Sequence, residues 1–190
     1  MQDSIQIRPA KPGDAEVASV LLYGAYTHVH VSYPLPEAQE SGWIERLEHF
    51  FRLDDNRFSY QNTQVAEQNS EVVGLVLSFG GRDEARLNAA VGRWLEREAR
   101  DDEWYIDALA VLKNWSQKGI GTRLLQNAEQ QARQYHYSNI ALNVAEGNKE
   151  ALDLYTHLHY VVTQRTFLYQ GAYVRMVKTL EHQEQKNDPI

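Results

Sequence analysis

The 190-residue chain contains no cysteine. That excludes disulfides, thiolate metal ligands and a cysteine nucleophile together. Cations are in deficit, with 19 Lys and Arg against 26 Asp and Glu and a formal net charge of −7. This balance argues against a protein whose affinity comes from neutralising the phosphates of a nucleic acid. No apolar run approaches the roughly 20 residues that cross a bilayer, and the start MQDSIQIRPA lacks the charged-then-apolar layout of a secretory signal. The chain reads as cytoplasmic, with no membrane partner. It also lacks an internal repeat.

With 43% hydrophobic residues the chain is long enough to bury a sizeable core, and the default organisation is a single domain over residues 1–180. IQIRP at 5–9 alternates as a short strand, Pro12-Gly13-Asp14 breaks it, and AEVASVLLYGAY has helical periodicity. After the break Tyr33-Pro34-Leu35-Pro36, a second helix is expected in EAQESGWIERLEHFF, with Trp43, Ile44, Leu47 and Phe50/Phe51 on one face. Tyr60 to Glu67 and Val72 to Phe79 are β-rich and joined by Gln68-Asn69-Ser70-Glu71, a connection of hairpin length. The charged, alanine-rich stretch at 81–102 reads as an inserted surface helix or a partly ordered lid. Beyond it the pattern predicts a strand at Trp104 to Val111, a helix at about 119–135, a strand at Asn139 to Val144 and a helix at Asn148 to Leu158. Two last strands, Tyr160 to Leu168 and Tyr173 to Leu180, flank a turn at Gln170-Gly171, and the polar tail 181–190 is expected to be disordered. Together these elements imply a mixed α/β sheet containing one parallel pair.

The most informative stretch is WYIDALAVLKNWSQKGIGTRLL, where a strand runs through a polar loop and Gly119-Ile120-Gly121-Thr122 into an amphipathic helix. Helix openings carry unpaired N–H groups and partial positive charge, so this turn suits a phosphate or pyrophosphate. A triphosphate-binding loop would need Gly-Lys-Ser/Thr, and a dinucleotide fingerprint would need a third glycine where Leu124 stands. Neither is present. What remains is a cradle of backbone amides from about Gln117 and Lys118 to Arg123, with charge supplied by Lys113, Lys118 and Arg123.

A second constellation lies downstream. Asn148, Ala151 and Tyr155 are spaced by three and four, along one stripe of a helix. Taken with the glycine turn, the chain resembles the GNAT superfamily of acyl-CoA-dependent N-acyltransferases. The family's Gln/Arg-x-x-Gly-x-Gly/Ala motif corresponds to Ser116 through Gly121, and its Asn-x-x-Ala-x-x-x-Tyr motif to Asn148 through Tyr155, followed by His159-Tyr160. Ser116 stands where the family has Arg or Gln, Gln117 where glycine is common, and His159 where glycine precedes the aromatic.

The resemblance implies a sheet splayed between its fourth and fifth strands, with helices on both faces. Acetyl-CoA would lie in the splay as acyl donor, against backbone groups of Leu109 and Val111, the amides at 117–123, Asn143, Asn148 and Ala151. Tyr155 would protonate the departing thiolate. Asp107, a carboxylate inside an otherwise apolar strand, is the first candidate for the base and Glu103 the second. With no cysteine to carry the acyl group, direct attack by a primary amine of a small molecule, peptide or protein in a ternary complex is expected. Tyr26, His28, His30, Tyr33 and Trp43 could face the acceptor, and no acid and histidine cluster completes a metal site around His28-x-His30. The other readings are a CoA-binding regulatory module without turnover and a transferase of a longer acyl group. Family habit also leaves open a homodimer through the last strands.

Overall fold

A computed structural model describes residues 5–28, 42–92 and 95–181. The break at 33–36, His30, Tyr33 and most of the polar tail lie outside them. Seven strands form one sheet in the order β1 (Gln6–Pro9), β2 (Thr63–Gln68), β3 (Glu71–Gly80), β4 (Trp104–Val111), β5 (Asn139–Ala145), β7 (Gly171–Thr179), β6 (Val161–Leu168). Only β4 and β5 run parallel; every other neighbouring pair is antiparallel. Among the described residues five α-helices flank the sheet: α1 (Ala15–Thr27), α2 (Gly42–Arg52), α3 (Glu84–Val91), α4 (Ile120–Gln134) and α5 (Lys149–His157).

Each face of the sheet carries its own core, because β3, EVVGLVLSFG, is buried from Val72 to Gly80. Leu75 and Leu77 face a cluster built with Leu21 and Leu22 of α1 and Leu47 and Phe51 of α2. Val73 and Val76 face the opposite way, toward Ile120, Leu124, Leu125 and Ala128 of α4. That spacing of apolar residues along α4 is what helical periodicity requires for one buried stripe.

Three local features differ from the pattern read in the sequence. Tyr60–Asn62 is a 3₁₀ turn rather than strand, because the Ser59 hydroxyl accepts the Gln61 N–H at 3.2 Å and caps it. The two hairpins turn on Asn69-Ser70 and on Tyr169-Gln170, all four with positive φ, which fits two-residue connections of right-handed strands. The stretch 81–102 is not a surface decoration: Glu84, Leu87, Val91 and Ala99 are all buried. Both Glu84 carboxylate oxygens accept backbone N–H groups, from Glu98 at 2.8 Å and Ala99 at 3.0 Å, and so fix the returning chain.

The site is created by an irregularity in β4. Leu77 pairs with Ala108 but the next residue, Ser78, pairs with Ile106, leaving Asp107 as an extra residue. Such a bulge switches the side-chain alternation, so Tyr105 and Ala108 belong to one core while Ile106 and Leu109 belong to the other. At the same place β4 leaves β5, since their pairing ends at Ile106↔Leu142. β5 continues along β7 to Ala145, and β4 along β3 to Val111, so the two strands diverge.

Candidate active site

Two cavities open on the divergence. One, about 410 Å³, is a groove lined by Leu109 to Val111, Trp115 to Gln117, Gly119 to Thr122, Glu150 and Leu154. The other, about 360 Å³, is walled by Tyr23, Tyr26, Trp43, Phe58, Tyr105, Tyr169 and Tyr173, with Arg57, Glu98 and Asp107 as its charged members. Ala25, His28, Leu109, Asn148, Ala151 and Tyr155 line both. The cavities therefore meet at the residues that separate β4 from α5.

One end of the groove has the chemistry that suits an anion. Gly119, the N-cap of α4, has φ +74° and offers no side-chain cap, so the first-turn amides keep no partner from a cap. At Gly121 a Cβ would meet only the side chains of Leu154 at 3.6 Å and Leu109 at 3.9 Å, ordinary contact distances. The protein's own packing does not demand glycine there. What its missing Cβ leaves open is groove. Along the side of the groove, the edge of β4 from Asp107 to Val111 that faces β5 has no strand partner. An extended polar chain ending in a phosphate fits this combination.

Tyr155 stands at the junction, 8% exposed, with its ring tilted against Tyr160. Its hydroxyl makes no hydrogen bond among the described residues. Burial pushes the phenol well above its ordinary value of 10, so the hydroxyl stays protonated at neutral pH. Asn148 caps α5 by accepting the Ala151 N–H at 3.2 Å while also lining both cavities. It caps the helix and lines both cavities at once.

The aromatic cavity is organised by Arg57, whose side chain is 2% exposed. Its guanidinium reaches Glu84 at 3.2 Å, Asn88 at 3.1 Å, Glu98 at 2.7 Å and both oxygens of Asp107. Burial disfavours the charge, but the pull of Asp107 and then Glu98 prevails and holds the guanidinium above its usual pKa. Phenols complete the network. Tyr26 donates to Asp107 at 2.7 Å, while Tyr105 at 2.7 Å and Tyr169 at 2.9 Å donate to Glu98. Desolvation, reinforced by the neighbouring carboxylates, raises all three phenols.

The chain matches the Acetyltransferase (GNAT) family over residues 22–160. It belongs to that family. GNAT acetyltransferases use acetyl-CoA. The fold is shared with an N-acetyltransferase from Staphylococcus aureus Mu50, 24% identical with a TM-score of 0.76 over 91% of this chain and 100% of that one. It is also shared with the PaiA N-acetyltransferase of Thermoplasma acidophilum, solved in complex with coenzyme A, at 16% identity and a TM-score of 0.59 over 93% and 99% of the two chains. In sequence, streptothricin acetyltransferase A of Bacillus subtilis (strain 168) is 29% identical over 75 residues, 40% of this chain and 43% of that protein. The match thus spans less than half the length of that relative.

Within this GNAT fold the residues singled out from the sequence separate into groups. Leu109, Val111, Gln117, Gly119, Ile120, Gly121, Thr122, Asn148, Ala151 and Tyr155 all line the groove. Asn143 lines the aromatic cavity instead, where its amide N–H₂ donates to Tyr105 at 3.1 Å. Lys118 and Arg123 are not brought to the groove. The ammonium of Lys118 sits 4.4 Å from the centre of the Trp115 ring, and Arg123 donates to the Ile5 carbonyl at 2.6 Å. Glu103 is likewise not brought to either cavity. It is buried at the head of β4 as the ion-pair partner of Arg175 and accepts the Arg100 N–H at 2.8 Å, which accounts for a carboxylate there without chemistry. Asp107, Tyr26, His28 and Trp43 do line the aromatic cavity. Among the described residues no group of three or more His, Asp or Glu side chains is arranged to hold a metal ion, and no helix is long and apolar enough to cross a membrane.

Two residues at the heart of the site gave no sequence signal. Arg57 lies in DDNRFS after α2 and Glu98 in LEREARDDE before β4, both in settings that read as solvated charge. The departures at Gln117 and His159 also resolve. Both adopt φ values, 59° and 68°, that glycine takes freely, so the backbone path is kept with other residues at a cost of about 1–2 kcal/mol each.

Proposed function

We propose that this protein transfers the acetyl group of acetyl-CoA to a primary amine by direct attack in a ternary complex. The observation that carries this reading is the meeting of groove and aromatic cavity at Tyr155, a buried phenol with no hydrogen-bond partner among the described residues. The amides of Gly119 to Thr122 would hold the diphosphate, and the unpaired edge of β4 with Asn148 and Ala151 would line the arm that follows it. The bound donor supplies an activated acyl thioester.

The chain's own groups then have three tasks. Leu109, Ala151 and Tyr155 close the junction against water, which favours aminolysis over hydrolysis. Tyr155 donates its proton to the leaving sulfur, a role that a phenol kept neutral by burial can fill. The proton released by the attacking amine passes to Asp107 through the Tyr26 hydroxyl, which lines the cavity and already donates to Asp107. None of the six residues lining both cavities is serine or cysteine, which favours direct attack over an acyl-enzyme.

The test is release of free CoA from acetyl-CoA and from longer acyl-CoA esters across a panel of primary amines. Amine-dependent release with acetyl-CoA, following sequential kinetics, is expected. Tight CoA binding without turnover on any amine would make the chain a CoA-binding module, and a preference for a longer ester would overturn the acetyl assignment.

A further inference from the structure

Arg57, Glu98 and Asp107, the charged members of the aromatic cavity's wall among the described residues, already answer one another. Arg57 makes five hydrogen bonds, to Glu84, Asn88, Glu98 and twice to Asp107, which is the whole donor complement of a guanidinium. Glu98 accepts from Arg57 and Tyr169 on one oxygen and from Tyr105 and Asn143 on the other. Asp107, whose side chain is 2% exposed, meets Arg57 with both oxygens and takes the Tyr26 hydroxyl as a further donor. The wall therefore offers an occupant no ionic partner of either sign.

The same bonds decide what the wall does offer. The hydroxyls of Tyr26, Tyr105 and Tyr169 donate to these carboxylates, and that of Tyr173 stands 3.4 Å from Nε2 of His28. What these tyrosines add to the cavity is ring surface. Phe58 joins them, set edge-on to the Tyr26 ring at 5.8 Å and 71°, as does Trp43 of α2, 47% exposed. Leu47, Leu95 and Ala108 line the cavity beside the rings. At about 360 Å³ it is at the small end of ligand sites, and it meets the donor groove at Tyr155.

Resting on the acetyl-transfer reading above, we infer that the acceptor is an arylalkylamine: a primary amine on a short chain that ends in an aromatic ring and carries no second charge. Its amino group reaches the junction beside Tyr26 and Tyr155. Its ring lies among Tyr23, Trp43 and Phe58, where offset and edge-to-face contacts add to the burial of apolar area. A second charged group, cationic or anionic, would lose its water against partners that are already saturated, which weakens binding.

The experiment compares 2-phenylethylamine, 2-cyclohexylethylamine, n-butylamine and putrescine, as kcat/KM with acetyl-CoA and, separately, as equilibrium binding to the CoA-saturated protein. In both, 2-phenylethylamine is expected to exceed n-butylamine by about tenfold or more through its added apolar area, and 2-cyclohexylethylamine by about threefold or more through ring geometry. Putrescine is expected to do no better than n-butylamine. In Trp43→Ala, whose folding is checked by its melting transition, the advantage of 2-phenylethylamine over n-butylamine should shrink by about threefold or more, whereas a merely structural loss would lower both amines alike. A saturated ring or a diamine used as well as the aromatic amine, or a ratio that Trp43→Ala leaves intact, overturns the inference while the transfer reading stands. Selective binding of 2-phenylethylamine without turnover keeps the inference and removes the transfer reading, and no binding of any of the four amines overturns it.

Discussion

A guanidinium nitrogen of Arg57 lies 2.7 Å from a carboxylate oxygen of Glu98, two residues 41 positions apart, beside the point where Glu84 accepts the Glu98 and Ala99 N–H groups. The same guanidinium holds Asp107, so one buried cation fixes both acidic walls of the cavity. Removing it would leave Asp107 and Glu98 without their buried cation, while Glu84 keeps its two backbone N–H donors. Arg57→Met is expected to lose about 3–5 kcal/mol of stability in denaturant unfolding, and Arg57→Lys to recover only part of it, because an ammonium cannot fork between separate partners. A variant as stable as the parent would show that the network is not holding the cavity.

Tyr155 offers a sharper functional test. Among the described residues its hydroxyl has no hydrogen bond to lose, so Tyr155→Phe should fold and bind acetyl-CoA as the parent does while kcat falls by about 10²-fold or more. Because burial raises this phenol above its ordinary value of 10, its ionisation should produce no falling limb in kcat below pH 10. A descending limb near pH 8–9 that disappears in the Phe variant would contradict the assignment.

For the proton leaving the amine, Tyr26→Phe and Asp107→Asn are each expected to lower kcat by roughly 10-fold or more, the general-base contribution being partly recovered by solvent. If the pair acts as one relay, the double variant loses little beyond the worse single one. Independent, multiplying losses would separate Tyr26 from Asp107.

The groove makes opposite forecasts for backbone and side chains. Gly121→Val should weaken acetyl-CoA binding by tenfold or more with a melting temperature close to the parent's, since the added atoms enter groove rather than core; the factor corresponds to about 1.4 kcal/mol. Lys118→Ala with Arg123→Ala should change affinity by less than about threefold, because both side chains are engaged elsewhere. The reverse pattern would mean that charged side chains, and not amides, grip the donor.

What the sequence made legible is what is local. The turn at Gly119 to Thr122 and the stripe Asn148, Ala151, Tyr155 depend on spacing within one element, and helical geometry converts such spacing into a shared face. The splay depends on the Asp107 bulge, which leaves no compositional trace because any residue can be the extra one. Arg57 and Glu98 were illegible for another reason: a buried ion network has the same residue types as a solvated surface, and only tertiary contact distinguishes them. Where the charged side chains beside the cradle go is equally tertiary: Lys118 lies against the Trp115 ring and Arg123 on the Ile5 carbonyl.

The most direct measurement is a structure of the protein with coenzyme A bound. The account predicts the diphosphate against the amides of Gly119 to Thr122, the pantetheine arm along the free edge of β4, and the thiol beside the Tyr155 hydroxyl where groove and cavity join. A ligand whose sulfur end lies away from Tyr155, or whose diphosphate is held outside the α4 turn, would contradict it.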